Sequence, residues 1–256
     1  MLPLVVDLDG TLITSDSLYE NFFKVFHNDP WVALCSLWKL RQGVSYWKRF
    51  LSSHAIPSPE LLPYRQDLLQ FLEEEKQKGR PIYLVTAADQ HIADAVAAHL
   101  GIFTGVKGST PSNNLKGREK ANYLTATFPD GFDYIGDSIA DIPVWQKAQT
   151  AHLAGRASIK NKIGMPIDKV FADNSVTTKD WLKLLRVHQW SKNLLVLLPW
   201  FLEGHFRLAV LPEVVAVFII FNVIVSTTYV FNDMLDIESD RKHPTKRLRP
   251  LASINV

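Results

Sequence analysis

Short apolar runs alternate with helical stretches over much of this chain, and this alternation narrows the folds that it can adopt. Each run has the length and continuous hydrophobicity of a strand that is buried on both faces. The runs cover residues 2–8, 81–86, 132–135 and 169–171, and the helical stretches cover residues 68–78, 89–100 and 118–127. This order predicts an α/β fold in which helices cover a doubly wound parallel sheet.

The segment between the first two runs has no strand pattern and is rich in aromatic side chains. We therefore expect a helical cap that is inserted at about residues 17–80. Trp31, Leu34 and Trp38 fall on one face of a helix at this spacing. We interpret that face as packing between cap helices, and contact with a substrate or a lipid is the alternative.

The composition changes after Asp173, where a polar link precedes an amphipathic stretch from Trp181 to Trp190. We place a domain boundary near Ser175 because the polar link separates two apolar regions. The expected divisions are residues 1–175 for the first domain, residues 176–192 for an interfacial linker helix and residues 193–256 for a membrane segment.

Residues 214–231 contain no charged side chain, and they are about as many as a helix needs to cross a bilayer. Residues 194–202 are also apolar but form a shorter stretch. Arg207 is the only lysine or arginine in the connection, whereas basic residues cluster on the outer sides: Arg186, Lys192, Arg241, Lys242, Lys246, Arg247 and Arg249. We therefore expect a multi-pass hairpin in the cytoplasmic membrane, with the first domain in the cytoplasm. The alternative is a buried core helix of a soluble protein.

The bulk composition argues against several classes of partner and site. The net charge of +2 is nearly balanced, which argues against a nucleic-acid partner. Cys35 is the only cysteine, so the chain cannot form an intramolecular disulfide, and we expect this side chain to be a small buried hydrophobe. Because Asp7 and Asp9 interrupt the only early apolar run, we expect no signal peptide.

Two carboxylates, Asp7 and Asp9, directly follow the first apolar run. The end of a strand in such a sheet places them at its carboxyl edge, where ligands bind. There Asp7 can attack a phosphoryl group and form an acyl-phosphate. Asp9 can protonate the leaving oxygen and then activate water.

Further polar side chains follow later strands. A phosphoryl group beside two carboxylates requires a cation, and hard oxygen ligands favour Mg²⁺. Asp137 follows the third run and can coordinate the metal, with Asp141 one turn along to assist. Thr86 ends the second run with a hydroxyl suited to a phosphate oxygen, and Lys116 or Lys120 can offset the phosphate charge.

These four elements, in this order, resemble the haloacid dehalogenase superfamily over about residues 1–173. The resemblance implies that Asp7 is the nucleophile and a metal ligand. It implies that Asp9 is the acid/base and that its backbone carbonyl binds the metal. It further implies that Thr86 binds phosphate and that Asp137 completes the metal site.

The motif lysine has two candidates. Lys120 fits the spacing Gly117-x-x-Lys120, and Lys116 fits a rival alignment. An aspartate at position 9 is similar to the phosphatases and phosphomutases of the superfamily rather than to its dehalogenases. An inactive scaffold is the alternative to an active phosphatase.

A second motif lies at the expected end of the membrane helix. Asn232, Asp236 and Asp240 are spaced four apart and are expected on one face of a continuing helix, with Asp233 adjoining. Carboxylates stacked in this way repel one another, and a metal-bound diphosphate would relieve the repulsion. An ordinary solvated helix end is the alternative.

Residues 183–252 resemble the UbiA-type membrane prenyltransferases, and within them the polyprenyl-phosphate phosphoribosyltransferase branch. The resemblance rests on the second motif and on its flanking segments at 186–193 and 243–250. It implies that Lys246 and Arg247 neutralise phosphates. The residues that it implies for Mg²⁺ and the donor diphosphate are Asn232, Asp233, Asp236 and Asp240.

That family has another aspartate-rich motif on a later helix, and this sequence ends before reaching such a motif. We therefore expect a truncated or frameshifted reading frame. We expect phosphomonoester hydrolysis to be its main activity, with a phosphorylated small molecule or a lipid-linked sugar as substrate. One alternative is a membrane transferase whose first domain is accessory. Another is a non-enzymatic targeting or assembly module, and the oligomeric state is left open.

Overall fold

The computed structural model describes residues 1–155, 157–172, 177–202 and 210–253. The chain divides into two compact units, Met1–Asp173 and Asn174–Val256, and each is described by itself. Three of the features predicted from sequence lie outside the described residues. They are the boundary near Ser175, the connection around Arg207 and the last residues, 254–256.

The first unit is built on six parallel strands in the order β3-β2-β1-β4-β5-β6. The strands are β1 (Leu4–Val6), β2 (Ile82–Asp89), β3 (Gly105–Ser109), β4 (Asp133–Gly136), β5 (Ala151–Gly155) and β6 (Ile167–Ala172). The order runs outward from β1 in both directions, which is the doubly wound arrangement. The predicted α/β fold is therefore confirmed.

Eight helices accompany these strands among the described residues of the first unit. They are α1 (Ser17–Asn28), α2 (Pro30–Ser36), α3 (Val44–His54), α4 (Gln66–Gln77), α5 (Gln90–Leu100), α6 (Arg118–Thr127), α7 (Ile142–Trp145) and α8 (Lys160–Ile163). Short 3₁₀ turns cover Leu37–Gln42, Pro59–Leu61, Ile139–Asp141 and Ala157–Ile159.

Two hydrophobic clusters cover the two faces of the sheet. Leu4 and Val6 belong to one cluster, which also receives Leu68 from α4, whereas Val5 belongs to the other, together with Leu124 from α6. Successive side chains of a strand point to opposite faces, so β1 supplies both clusters. Burial on both faces explains why the first strand has no polar alternation.

Two strands were not predicted, because their residues have low strand propensity. β3 contains Gly105 and Gly108, and β5 is a run of alanine, histidine, leucine, alanine and glycine. At Gly105 a Cβ atom would lie 2.8 Å from the Tyr83 ring, so the pairing of β2 with β3 needs a residue without a side chain there. Tertiary pairing, and not local preference, forms these strands.

The cap helices α1, α2 and α3 have a core of their own around Val25, Ala33 and Leu51. The predicted packing of Trp31 and Trp38 between cap helices is wrong, because these side chains are 75% and 68% exposed. The small residues on the opposite side of α2, Ala33 and Ser36, face the cap core instead. Leu34 of the same predicted face and Cys35, expected to be buried, are exposed as well.

The second unit contains α9 (Thr178–Leu184), α10 (Leu198–Leu202), α11 (Leu211–Leu235), α12 (Ile237–Lys242) and α13 (Pro250–Ser253), with 3₁₀ turns at Val187–Leu197 and Lys246–Leu248. The stretch expected to form a linker helix is interrupted at Arg186, whose φ of 51° is left-handed. The turn that follows contacts α11, where Asn193 donates to Asn222 at 2.8 Å.

Within the described residues, α11 is the one helix that is long and apolar enough to cross a membrane. It has 25 residues, and its most apolar window has a mean hydropathy of 2.3 and is 11% buried. The other expected span, residues 194–202, consists of the end of a 3₁₀ turn and the five residues of α10. The described structure thus supplies one candidate membrane helix.

Candidate active site

The loop after β1 brings Asp7 to the carboxyl edge of the sheet. The Asp7 carboxylate accepts a 2.8 Å hydrogen bond from the Leu8 amide, and its side chain is nearly buried. Gly10 follows with a φ of 69°, and a Cβ atom there would lie 2.2 Å from an oxygen of Asp137. A glycine at position 10 therefore lets the first loop approach the loop after β4 closely.

Asp9 faces the start of the cap. Its carboxylate accepts a 2.8 Å hydrogen bond from the amide of Ser17, the first residue of α1. Burial, with a further contribution from Asp16, raises the pKa of Asp9 to about 6. A carboxyl group with such a pKa can both give and take a proton near neutral pH.

Lys120 connects the carboxylates of two loops. Its Nζ lies 2.6 Å from Asp7 Oδ2, 3.0 Å from the Tyr134 hydroxyl and 3.4 Å from Asp141 Oδ1. The Tyr134 hydroxyl in turn donates to Asp141 at 2.8 Å. Burial lowers the pKa of Lys120, but the nearby Asp7 and Asp141 outweigh it and raise the pKa above its usual value. Lys120 therefore stays charged inside the protein.

Asp7, Asp137 and Asp141 form a cluster of carboxylates in which one oxygen of each lies within 4.8 Å of the others. Burial, followed by the negative charges of Asp7 and Asp141, raises the pKa of Asp137 to about 8. One lysine faces three carboxylates, so burial and mutual repulsion favour a protonated Asp137 unless a cation compensates the charge. Clustered oxygen donors of this kind fit a hard divalent cation such as Mg²⁺.

Thr86 and Lys116 lie on the same cavity, which has a volume of about 350 Å³. Thr86 is fully buried on β2, and its hydroxyl accepts a 3.1 Å hydrogen bond from the Ala88 amide. The structure thus brings all seven residues predicted for the first site to one cavity: Asp7, Asp9, Thr86, Lys116, Lys120, Asp137 and Asp141.

Three residues at this site were not found from the sequence. Lys48 reaches the cavity from α3 of the cap and donates to the Ala87 carbonyl at 2.7 Å. Tyr134 bridges Lys120 and Asp141, and its only signal in the sequence is an aromatic hydroxyl in an apolar strand. Arg65 donates to the Gly10 and Thr11 carbonyls of the first loop, and a lone arginine after the cap gives no local sequence signal of that role.

The second motif spans the junction of two helices. Asp233 and Asp240 are buried, whereas Asn232 is exposed. The amide of Asp236 donates to the Asn232 carbonyl at 3.0 Å and the amide of Asp240 donates to the Asp236 carbonyl at 2.8 Å, which keeps the i, i+4 spacing, so the shared face of these three residues stays a prediction. α11 ends at Leu235, and Asp236 separates it from α12, half-buried between the two helices.

Arginines neutralise the buried carboxylates of this motif. Arg186 donates to both oxygens of Asp233 at 2.8 and 3.1 Å. Arg249 joins the two carboxylates, at 3.0 Å from Asp233 and 2.7 Å from Asp240. Lys246 lies 3.8 Å from Asp240, while Arg247 is exposed. A metal site at Asp233, Asp236 and Asp240 stays a prediction.

Comparison with known families identifies the first of the two units. Residues 45–146 match the family model of haloacid dehalogenase-like hydrolases. The first unit contains a haloacid dehalogenase-like hydrolase domain. Asp7 and Asp9 precede the matched range, and they join the hydrolase domain through β1, which pairs with β2 and β4.

Two curated relatives extend the comparison beyond the hydrolase domain. The chain is 44% identical to the uncharacterized protein y4nM of Sinorhizobium fredii over 98% of this chain and 50% of the relative. It is 43% identical to the decaprenyl-phosphate phosphoribosyltransferase of Mycobacterium tuberculosis over 77 residues, which are 28% of this chain and 26% of the relative. The chain thus spans about half the length of the first relative and about a quarter of the second.

Solved structures also resemble the hydrolase domain. A phosphoserine phosphatase in its apo form aligns with 66% of this chain and 92% of that chain, with 14% sequence identity and a TM-score of 0.47.

Proposed function

We propose that the first unit hydrolyses phosphomonoesters through a phosphorylated Asp7. An oxygen of Asp7 attacks phosphorus, the bond to the leaving oxygen breaks, and Asp9 gives that oxygen its proton. Asp9 then takes a proton from water, which attacks the aspartyl-phosphate and releases inorganic phosphate and free Asp7. The supporting observation is the buried contact of 2.6 Å between Asp7 and Lys120 at a cavity that Asp9 also lines.

We assign the phosphate and metal contacts to the other residues of the cavity. Asp7, Asp137 and the Asp9 carbonyl would hold Mg²⁺, with Asp141 assisting. When bound, Mg²⁺ would offset the charge of the carboxylates and of the phosphoryl oxygens. The Thr86 hydroxyl would bind a phosphoryl oxygen. Lys120 would neutralise charge beside the nucleophile, with Lys116 nearer the opening.

For the substrate, we propose a phosphorylated lipid-linked sugar. The candidate membrane helix α11 would keep the hydrolase domain near lipid-linked molecules. The similarity to a decaprenyl-phosphate phosphoribosyltransferase over 77 residues supports a sugar that arrives with a phosphate. A phosphatase in the same chain would remove that phosphate after the transfer.

A second proposal concerns the other unit, within a longer protein. Asn232, Asp233, Asp236 and Asp240 would bind a diphosphate with Mg²⁺, and Lys246 and Arg247 would contact phosphates. The 43% identity to a decaprenyl-phosphate phosphoribosyltransferase over 77 residues supports a transferase role. We also propose a multi-pass arrangement with the hydrolase domain in the cytoplasm, which the basic residues around α11 support.

The test of the first proposal uses the full chain in detergent, with a generic aryl phosphate and added Mg²⁺. Asp7→Asn keeps the shape of the side chain but removes its nucleophilic charge, so turnover should fall by about 10³-fold or more. Asp94→Asn on the exposed side of α5 is the matched control and should keep wild-type turnover. Equal turnover by Asp7→Asn and the control would contradict the proposal.

A further inference from the structure

The cap exposes a group of large apolar side chains that we call the aromatic cap surface. All are 40% to 75% exposed, and they lie on α2, on the 3₁₀ turn after it and at the start of α3. The members are Trp31, Leu34, Leu37, Trp38, Leu40 and Tyr46. Soluble monomeric domains seldom expose so many large apolar side chains together, and such patches mark binding surfaces.

The cap fold does not require these side chains. The cap core contains Val25, Ala33 and Leu51, with Phe22 and Trp47 packed against it. Trp47 also donates a 2.8 Å hydrogen bond to Ser36, which fixes α2 against α3. The large residues on the other side of α2 are therefore free to serve an external contact.

The same part of the cap has a net positive charge. Residues 30–59 contain two lysines and two arginines and no aspartate or glutamate. Arg49 pairs with Asp89 at 3.3 Å and Lys48 donates to the Ala87 carbonyl, so Lys39 and Arg41 supply the positive charge of the aromatic cap surface. Arg41 stacks 3.8 Å above the Trp38 ring, and Lys39 lies 5.8 Å from the centre of the Phe50 ring. Tryptophan and tyrosine next to lysine and arginine are the residues that bind the headgroup region of a bilayer.

We propose that the aromatic cap surface docks on the anionic headgroups of a lipid bilayer. Its positive charge complements anionic lipid, and the candidate span α11 in the same chain would hold the cap at a high effective concentration near the bilayer. A second copy of the chain fits less well. A two-fold interface would bring Lys39 and Arg41 of both copies together.

The docking surface is connected to the proposed active site through α3. Tyr46 on this helix belongs to the aromatic cap surface, and Lys48, two residues later, lines the cavity. Docking would therefore fix the cap helix that borders the cavity. This arrangement suits a substrate that is itself attached to lipid.

The single cysteine provides a native probe, because Cys35 is exposed on α2 next to Leu34. The full chain is labelled at Cys35 with an environment-sensitive fluorophore and reconstituted into phosphatidylcholine vesicles with or without phosphatidylglycerol. Spin-labelled lipid serves as the quencher. We expect blue-shifted and strongly quenched emission when phosphatidylglycerol is present, and weaker quenching at high salt. A label at position 126 in a Cys35→Ser, Ala126→Cys variant, on the exposed side of α6, should change less.

Charge removal tests the lipid contact directly. The Lys39→Gln/Arg41→Gln variant should dock about 30-fold more weakly on anionic vesicles. Each basic residue near an anionic lipid surface contributes about 1 kcal/mol to binding, and the loss of two corresponds to that factor. The matched control, Lys147→Gln/Lys162→Gln, removes the same charge from exposed positions outside the cap.

Three results would overturn the proposal. Emission from labelled Cys35 could be the same with and without phosphatidylglycerol. Quenching could depend on the protein-to-lipid ratio and not on lipid charge, which would identify a second copy as the occupant. The chain could fail to float with vesicles. None of these measurements depends on phosphatase turnover, so failure of the proposed hydrolysis would be seen separately.

Discussion

The ammonium group of Lys120 is shared by the carboxylates of Asp7 and Asp141 and the hydroxyl of Tyr134. A lysine inside a protein is tolerated only when such partners compensate for its lost hydration. The same contacts hold the Asp7 carboxylate in one position. A single residue thus stabilises the fold and orients the proposed nucleophile.

Lys120→Met should therefore change both stability and turnover. Removing the cation leaves Asp7 and Asp141 buried without their partner, which should lower the free energy of unfolding by about 3 to 5 kcal/mol. Turnover should fall by about 10²- to 10³-fold as the positive charge at the phosphate is lost. Denaturant unfolding and aryl phosphate turnover measure the two effects. Lys116→Met, at an exposed position, should lower stability by less than about 0.5 kcal/mol. Similar stability losses in the two variants would contradict the structural role of Lys120.

Arg65 is a positioning residue behind the first loop. Its guanidinium donates to the carbonyls of Gly10 at 3.0 Å, Thr11 at 3.1 Å and Ala172 at 3.3 Å. A lysine cannot reproduce this fork of donors. Arg65→Lys should leave buried carbonyls unpaired and destabilise the loop locally by about 1 to 3 kcal/mol.

Hydrogen exchange by mass spectrometry of the full chain can measure this effect. Peptides that cover residues 8–14 should exchange faster in Arg65→Lys than in the wild type. Arg118→Lys, at an exposed position on α6, is the control. Unchanged protection of the first loop in Arg65→Lys would show that the three hydrogen bonds do not hold it.

At the scale of single elements, β1, β2, β4 and β6 were predicted from their apolar runs, and β3 and β5 were not. β1, β2 and β4 have apolar runs that read as buried strands, and polar residues after them converge because parallel strands end at one edge. The carboxylates of the candidate site could therefore be found from sequence. β3 and β5 depend on pairing with their neighbours. Likewise, helical spacing correctly placed Trp31 and Trp38 on one face. It did not determine which side of α2 faces the cap core.

β5 also contains a histidine that links stability to pH. Burial lowers the pKa of His152, an effect that outweighs the nearby Asp168 carboxylate. An unperturbed histidine has a pKa of about 6.5, so below this pH the imidazole binds a proton in the unfolded chain. The folded chain binds that proton less readily. Through His152 the first unit should therefore lose stability as the pH falls from about 7 to 5, whereas the raised pKa values of Asp9 and Asp137 contribute in the opposite direction.

His152→Gln should remove part of this loss, since the amide does not titrate. Thermal unfolding midpoints at the two pH values measure the difference, and His27→Gln controls for the removal of an exposed imidazole. A midpoint that falls as steeply in His152→Gln as in the wild type would exclude His152 as the cause.

At the scale of the whole molecule, α11 is the candidate membrane helix of the described residues. Its apolar side chains are mostly exposed, as expected for a helix that is surrounded by lipid. Ile220→Lys/Ile224→Lys places two charges in the middle of the helix, each costing about 2.5 to 3.5 kcal/mol in a bilayer.

We expect the wild-type chain to stay in the membrane fraction after a carbonate wash and the double lysine variant to be released. Ile220→Leu/Ile224→Leu is the matched control and should be retained. Retention of the lysine variant would show that α11 does not attach the chain to the membrane.

The close approach of Gly10 to Asp137 has a consequence for how this sequence can vary. A side chain at position 10 would occupy the space of the Asp137 carboxylate, so the effect of a mutation at one position depends on the residue at the other. The two positions are epistatic, although they are far apart in the chain. Shortening residue 137 would relieve the collision but not the left-handed backbone at position 10. Compensation between them is therefore partial, and the pair is expected to vary little in a mutational library.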